Sequence, residues 1–99
     1  MQIIENWSDI NGIVRLSQPS PNVSGFVEVE LLVEKVNPME GSANLLGDME
    51  GKSLVVHVPE DLFKSLDINP GDRVVCRVRR ANLDQTFVHR NHISVLHSI

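Results

Sequence analysis

The chain has 99 residues, of which 41% are hydrophobic and 22% charged, with a single cysteine and a formal net charge of −4. This length suits one domain with its own core, and Cys76 alone excludes an internal disulfide and a thiolate-rich zinc site. No apolar run resembles a signal peptide or a membrane span of about 20 residues. We therefore expect a cytoplasmic protein with one domain over residues 1–99.

Residues 1–25 carry mixed signals and are interpreted as a lead-in segment. Four large apolar residues lie at spacings typical of one side of a helix: Ile3, Ile4, Trp7 and Ile10. The alternative is an irregular segment that places Trp7 as a buried plug against the domain, followed by a short strand at 13–16. A loop with two prolines then leads to residue 26.

Residues 26–36 show the clearest strand pattern in the chain. Apolar residues alternate with glutamates, so this strand has one buried and one wet face. Residues 37–42 are interpreted as a loop. The apolar run 43–46, the glycine-containing turn 47–52 and the alternating strand 53–58 together predict a hairpin.

The second half of the sequence begins with a helix signal. Pro59, followed by two acidic residues, is typical of a helix start, and Asn-Pro-Gly-Asp at 69–72 predicts a type II turn. Residues 73–79 alternate between inward apolar and outward arginine side chains. Residues 81–85 are interpreted as a loop, and residues 86–88 with 93–96 as a broken final strand.

This order of elements predicts a mainly β, five-stranded Greek-key OB-type barrel over residues 26–97, with one short helix between strands 3 and 4. Period 2 also predicts which side chains form the core: Val27, Val29, Leu31, Val33, Leu54, Val56, Val58, Val74, Cys76 and Val78.

Two further segments carry a resemblance to known families. Leu45-Leu46-Gly47-Asp48-Met49-Glu50-Gly51 and the stretch from Leu66 to Val74 with its Pro-Gly-Asp turn resemble the nucleic-acid-binding OB domains of the single-strand-binding and replication protein A type. That resemblance implies base stacking on the second and third strands, where this chain offers His57 and Met49. Residues 67–78 also resemble the oxyanion-binding barrels of molybdate-binding proteins.

The arginines of the fourth strand are the main candidate binding residues. Arginine binds phosphate with two parallel hydrogen bonds, so Arg73, Arg77, Arg79 and Arg80 predict a phosphate track. The alternative is that they pair with Glu28, Glu30 and Glu34 on a neighbouring first strand, as oppositely charged cross-strand residues do. Four other residues complete the candidate nucleic-acid-binding set: Lys52, His57, Phe87 and Arg90.

Catalysis and metal binding find little support in the sequence. Cys76 alternates inward with its valine neighbours and is interpreted as an inert core thiol. His89 and His92 are three residues apart, which on a regular strand places them on opposite faces. No cofactor, metal or catalytic residue is predicted.

The sequence therefore predicts a small non-catalytic module that binds single-stranded DNA or RNA, with loops 37–42 and 81–85 beside the cleft. The first alternative is a protein–protein interaction subunit of a larger assembly, which the net acidic charge favours. The second is an oxyanion-binding barrel that works as an oligomer.

Overall fold

The computed structural model describes residues 6–43, 45–82 and 85–98, and in it five strands close into a barrel. The elements are β1 (Trp7–Pro19), β2 (Phe26–Pro38), β3 (Ser53–Pro59), α1 (Glu60–Leu66), β4 (Arg73–Asn82) and β5 (Gln85–Leu96). Around the barrel the order is β1-β2-β3-β5-β4, and β4 returns to β1. All neighbours are antiparallel except β3 and β5. The predicted fold class is confirmed, including the helix between β3 and β4.

β1 is the main departure from the prediction. The sequence predicts a lead-in before residue 26, whereas Trp7–Pro19 forms a full barrel strand that pairs with both β2 and β4. The buried positions in the first half of β1 are Ser8, Ile10, Gly12 and Val14. Because serine and glycine occupy two of these four positions, β1 lacks the apolar alternation by which strands are recognised. The strand predicted to be first is consequently β2.

The connection from β2 to β3 also differs from the prediction. The apolar run 43–46 is predicted to form a hairpin strand, but its described residues are not in a strand, and β3 pairs with β2 instead. Asn44 of this run lies outside the described residues. Among the described residues of this run Leu46 alone is buried, and it packs into the core from a loop together with the nearby Met49, whereas Leu45 is exposed.

The hairpin from β4 to β5 is tighter than predicted. Of the predicted loop 81–85, the first two residues belong to β4 and Gln85 begins β5, while Leu83 and Asp84 lie outside the described residues. The final strand is also one element, Gln85–Leu96, and not two pieces. Its interruption is a bulge, because Val78 pairs with Val88 whereas Cys76 pairs with Ile93.

The core consists of the inward side chains of all five strands. All ten residues predicted from period 2 are buried, so the register of β2, β3 and β4 was assigned correctly. Cys76 lies among them, and burial raises the pKa of its thiol to about 12. The thiol is therefore protonated at neutral pH and does not act as a nucleophile.

α1 and the turn before β4 form where the sequence predicts them. Pro59 precedes α1, which ends at Asp67 in a left-handed conformation. Asp72 N–H donates to the Asn69 carbonyl oxygen at 3.1 Å and Gly71 has a φ of +91°, as the third position of a type II turn requires. β4 begins directly after this turn, at Arg73.

A buried carboxylate joins this turn to the end of the chain. Asp72 accepts hydrogen bonds from the backbone N–H groups of Ser98 (2.8 Å) and Asn69 (2.9 Å), and lies 3.0 Å from His97 Nδ1. The hydrogen bond from Ser98 is the largest cause that holds the pKa of Asp72 below its usual value of 3.8. Asp72 therefore stabilises the folded state only while it is ionised.

We expect Asp72→Asn to destabilise the protein at neutral pH and to flatten its acid unfolding. Because the folded-state pKa is depressed, the stabilisation by Asp72 is complete above the unfolded-state pKa and is lost as pH falls through the folded-state value. Thermal unfolding from neutral pH down to about pH 2 should show the two proteins converging at acid pH. Asp67→Asn, at an exposed position that tolerates asparagine, is the control. A constant gap at all pH values would contradict this role.

Candidate nucleic-acid interface

A row of outward residues crosses three neighbouring strands. In the strand register, Trp7 of β1 lies opposite Arg79 of β4, and Arg79 lies opposite Phe87 of β5. The row continues to β3, where His57 is the partner of Phe87. Backbone pairing therefore places aromatic and cationic side chains side by side on one surface.

Side-chain contacts link Arg79 to Trp7 within this row and add two further aromatic rings to it, those of His89 and Phe26. The Arg79 guanidinium carbon lies 5.6 Å from the centre of the Trp7 ring, within the range of a cation–π interaction. Trp7 also packs against His89 with ring centres 5.2 Å apart, and Phe87 packs edge-on against Phe26 at 5.5 Å. All five side chains are half-buried. We call these five residues, Trp7, Phe26, Arg79, Phe87 and His89, the stacking strip.

His57 packs beneath the Phe87 ring of the strip. Its side chain is on the outer face of β3 yet is only 2% exposed, because Phe87 covers it with ring centres 5.1 Å apart. Nδ1 of His57 lies 3.3 Å from the Thr86 carbonyl oxygen, and Nε2 lies 3.5 Å from a Glu28 carboxylate oxygen. His57 thus positions Phe87 and is too buried to stack on a ligand itself.

Trp7 is not a buried plug. It lies half-buried on the outer face of β1, between Arg79 and His89. Together with Phe26 and His89, Trp7 is a part of the strip that the sequence-based candidate set omits. The sequence carries no alternation signal for Trp7, because the inward residue next to it, Ser8, is polar, and only the structure places residue 7 outside.

The β5 bulge brings two histidines together. On a regular strand His89 and His92 would lie on opposite faces, and that prediction is wrong, since their ring centres are 4.5 Å apart. The bulge inserts additional residues into β5 opposite Arg77, which reverses the side-chain alternation. His89 Nδ1 accepts a hydrogen bond from the Asn91 N–H at 3.1 Å, which fixes its ring.

Arg77 lies next to this histidine pair. Its Nε donates to Asp9 Oδ1 at 2.9 Å and its Nη2 lies 3.4 Å from Asp9 Oδ2, so the pair is bidentate. The hydrogen bond to Asp9 raises the pKa of Arg77 further. Its remaining terminal nitrogen, Nη1, lies 3.5 Å from His92 Nε2. Asp9 is a further residue that the sequence-based set omits.

The other candidate residues lie away from the strip. Arg73 pairs with Glu34, at 2.8 Å between Nε and Oε1, and Arg90 pairs with Asp61 of α1. Arg80 is on the same side of β4 as inward Val78, and its Nε is buried. Lys52 is exposed in the turn before β3. The structure therefore brings together Arg79, Phe87 and His57, with Arg77 adjacent, and places the other four elsewhere.

The four arginines do not form one continuous track, and the pairing that the alternative predicted forms only in part. Because β4 lies beside β1 and not beside β2, Arg77 pairs with Asp9, while Glu28 contacts Gln18 and His57. Arg73 does pair with Glu34. Within the described ranges, no carboxylate lies within 4 Å of the Arg79 guanidinium.

Comparison of the chain with known protein families, with curated proteins and with solved structures gives no significant match. Among residues 6–43, 45–82 and 85–98, no three His, Cys, Asp or Glu side chains converge to hold a metal ion. In the same described part of the chain, no helix is long and apolar enough to cross a membrane.

Proposed function

We propose that this protein is a non-catalytic module that binds single-stranded nucleic acid through the stacking strip. The observation that supports this most strongly is the Arg79 guanidinium over the Trp7 ring, with Phe87 next to it in the strand register. Bases stack on aromatic rings and on arginine planes with little sequence preference, for about 1–3 kcal/mol per base. The stacking strip places aromatic rings and an arginine, all half-buried, on the outer surface of the barrel, where they offer stacking surfaces for bases.

Local charge supports this proposal despite the acidic total. Arg77 and Arg79 face outward from β4, with His89 and His92 beside them on β5. The carboxylate nearest to these groups is Asp9, which already accepts both hydrogen bonds of Arg77. The phosphate backbone of a nucleic acid is attracted by this local cationic surface, even though the net charge of the whole chain is negative.

Fluorescence anisotropy of a labelled oligonucleotide tests this proposal. We expect a single strand to bind with an affinity that falls with salt, with a slope of about −0.7 per phosphate contact on a logarithmic plot. A duplex of the same sequence should bind more weakly, because its paired bases are unavailable for stacking. Binding of the duplex as tightly as the single strand would contradict a stacking interface.

A protein partner is the second candidate function. Leu16 and Val55 are exposed apolar residues on either side of Glu30, on the β1–β2–β3 surface away from the strip. Exposed apolar side chains beside an acidic one suit a contact with another protein. The absence of oligonucleotide binding at low salt would favour this function over nucleic acid.

A further inference from the structure

A groove lies beside the stacking strip, and none of the five strip residues is among the residues that line it. The β5 bulge separates β5 from β4, and a groove of about 310 Å³ opens there between these strands and the start of β1. Its floor includes buried Cys76. Four hydrogen-bond donors line its walls: Arg77, Asn91, His92 and Ser94.

The donors in this groove exceed its acceptors. Among the described residues that line the groove, Asp9 is the only carboxylate, and both of its oxygens face Arg77. Arg77 Nη1 has no carboxylate partner and points to His92 Nε2. When Nε2 of a neutral His92 accepts this hydrogen bond, the ring proton is on Nδ1, which becomes a further donor. The groove therefore suits a ligand that supplies several acceptor oxygens.

We propose that this groove is a phosphate subsite, which holds the phosphodiester next to a base stacked on Trp7. The inference rests on the proposed function and extends it. His89 makes the two sites continuous, because its ring contacts Trp7 on one side and His92 on the other. A phosphodiester carries two unesterified oxygens, which match the Arg77 terminal nitrogen together with the Asn91 amide or the Ser94 hydroxyl.

Two substitutions with opposite expected signs test the subsite. Arg77→Gln removes the donor and should weaken binding of a single strand about tenfold. Asp9→Asn removes the negative charge while Arg77 stays cationic, so it should tighten binding severalfold. Arg73→Gln, on the same strand but paired with Glu34 outside the groove, should leave the affinity unchanged.

A purely structural role for the Arg77–Asp9 pair predicts a different pattern. Loss of either partner would then weaken binding in parallel with a lower melting temperature, and this result would overturn the inference. If Arg77→Gln does not fold, the double variant Asn91→Ala/Ser94→Ala provides the same test, because both residues are exposed and neither is part of the ion pair. It should weaken binding severalfold, and unchanged affinity would overturn the subsite.

Titration with an abasic single strand distinguishes binding at the phosphate subsite from binding at the stacking strip. It offers phosphodiesters but no bases, so its weak binding should be lost in Arg77→Gln and kept in Trp7→Leu. If normal single strands bind the wild type and respond to Trp7→Leu but not to Arg77→Gln, the subsite is wrong and the proposed function stands. If no single strand binds the wild type at any salt concentration, both are wrong.

Discussion

Leu31→Ala is expected to lower the free energy of unfolding by about 2–5 kcal/mol, the usual range for a leucine removed from a core. Leu31 is 0% exposed at the centre of β2, and both neighbouring strands pack over it. The backbone of β1 also lies close to Leu31, because a Cβ added at Gly12 would be only 3.1 Å from the Leu31 Cβ. Urea unfolding at equilibrium measures the effect.

Leu16→Ala is the matched control for this experiment. Leu16 is on the neighbouring strand β1 but is 51% exposed, so its truncation should change the unfolding free energy by less than about 0.5 kcal/mol. A loss at Leu31 as small as that expected at Leu16 would mean that β2 is shifted by one residue, with Glu30 and not Leu31 facing the core.

Trp7→Leu and Arg79→Ala are each expected to weaken single-strand binding roughly 5- to 150-fold, as the loss of one stacked base at about 1–3 kcal/mol implies. Both residues are half-buried on the outer surface, so the barrel should still fold. The two effects should not add, because Arg79 lies over the Trp7 ring and the two form one platform. Anisotropy titration of the single and double variants measures this coupling.

Lys52→Ala and Arg90→Ala are the controls for the strip. Both residues belong to the cationic set predicted from the sequence, yet Lys52 is in a distant turn and Arg90 pairs with α1. Each should change the affinity less than twofold at physiological salt. If they weaken binding as much as Arg79→Ala does, binding depends on diffuse charge and not on the stacking strip.

The sequence was sufficient for the fold wherever inward positions are uniformly apolar. The predicted inward positions of β2, β3 and β4 are all valine, leucine or cysteine and most of their outward positions are polar, so their register could be read directly. The register of β1 could not be read, because Ser8 and Gly12 face inward whereas Trp7 and Ile13 face outward. This is the reverse of the usual pattern, in which apolar residues face inward and polar residues face outward. That omission also shifted the numbering of the strands and assigned β4 the wrong neighbour.

The candidate site depends on cross-strand register, which composition does not encode. Arg79 and Phe87 were identified as binding residues from the sequence, but the contact of Arg79 with a tryptophan about 70 positions earlier follows only from the β1–β4 pairing. The pairing of His89 with His92 depends on a bulge for which the sequence 88–93 carries no glycine or proline signal.

Trp7 is the only tryptophan in the chain, so its fluorescence during titration with a single-stranded oligonucleotide reports on the strip directly. If a base stacks on the Trp7 ring, the emission should be quenched to saturation, with a dissociation constant equal to that from anisotropy and the same dependence on salt. Quenching should disappear with an abasic strand of equal length. Saturable binding by anisotropy with no change in Trp7 emission would contradict nucleic-acid recognition at the stacking strip.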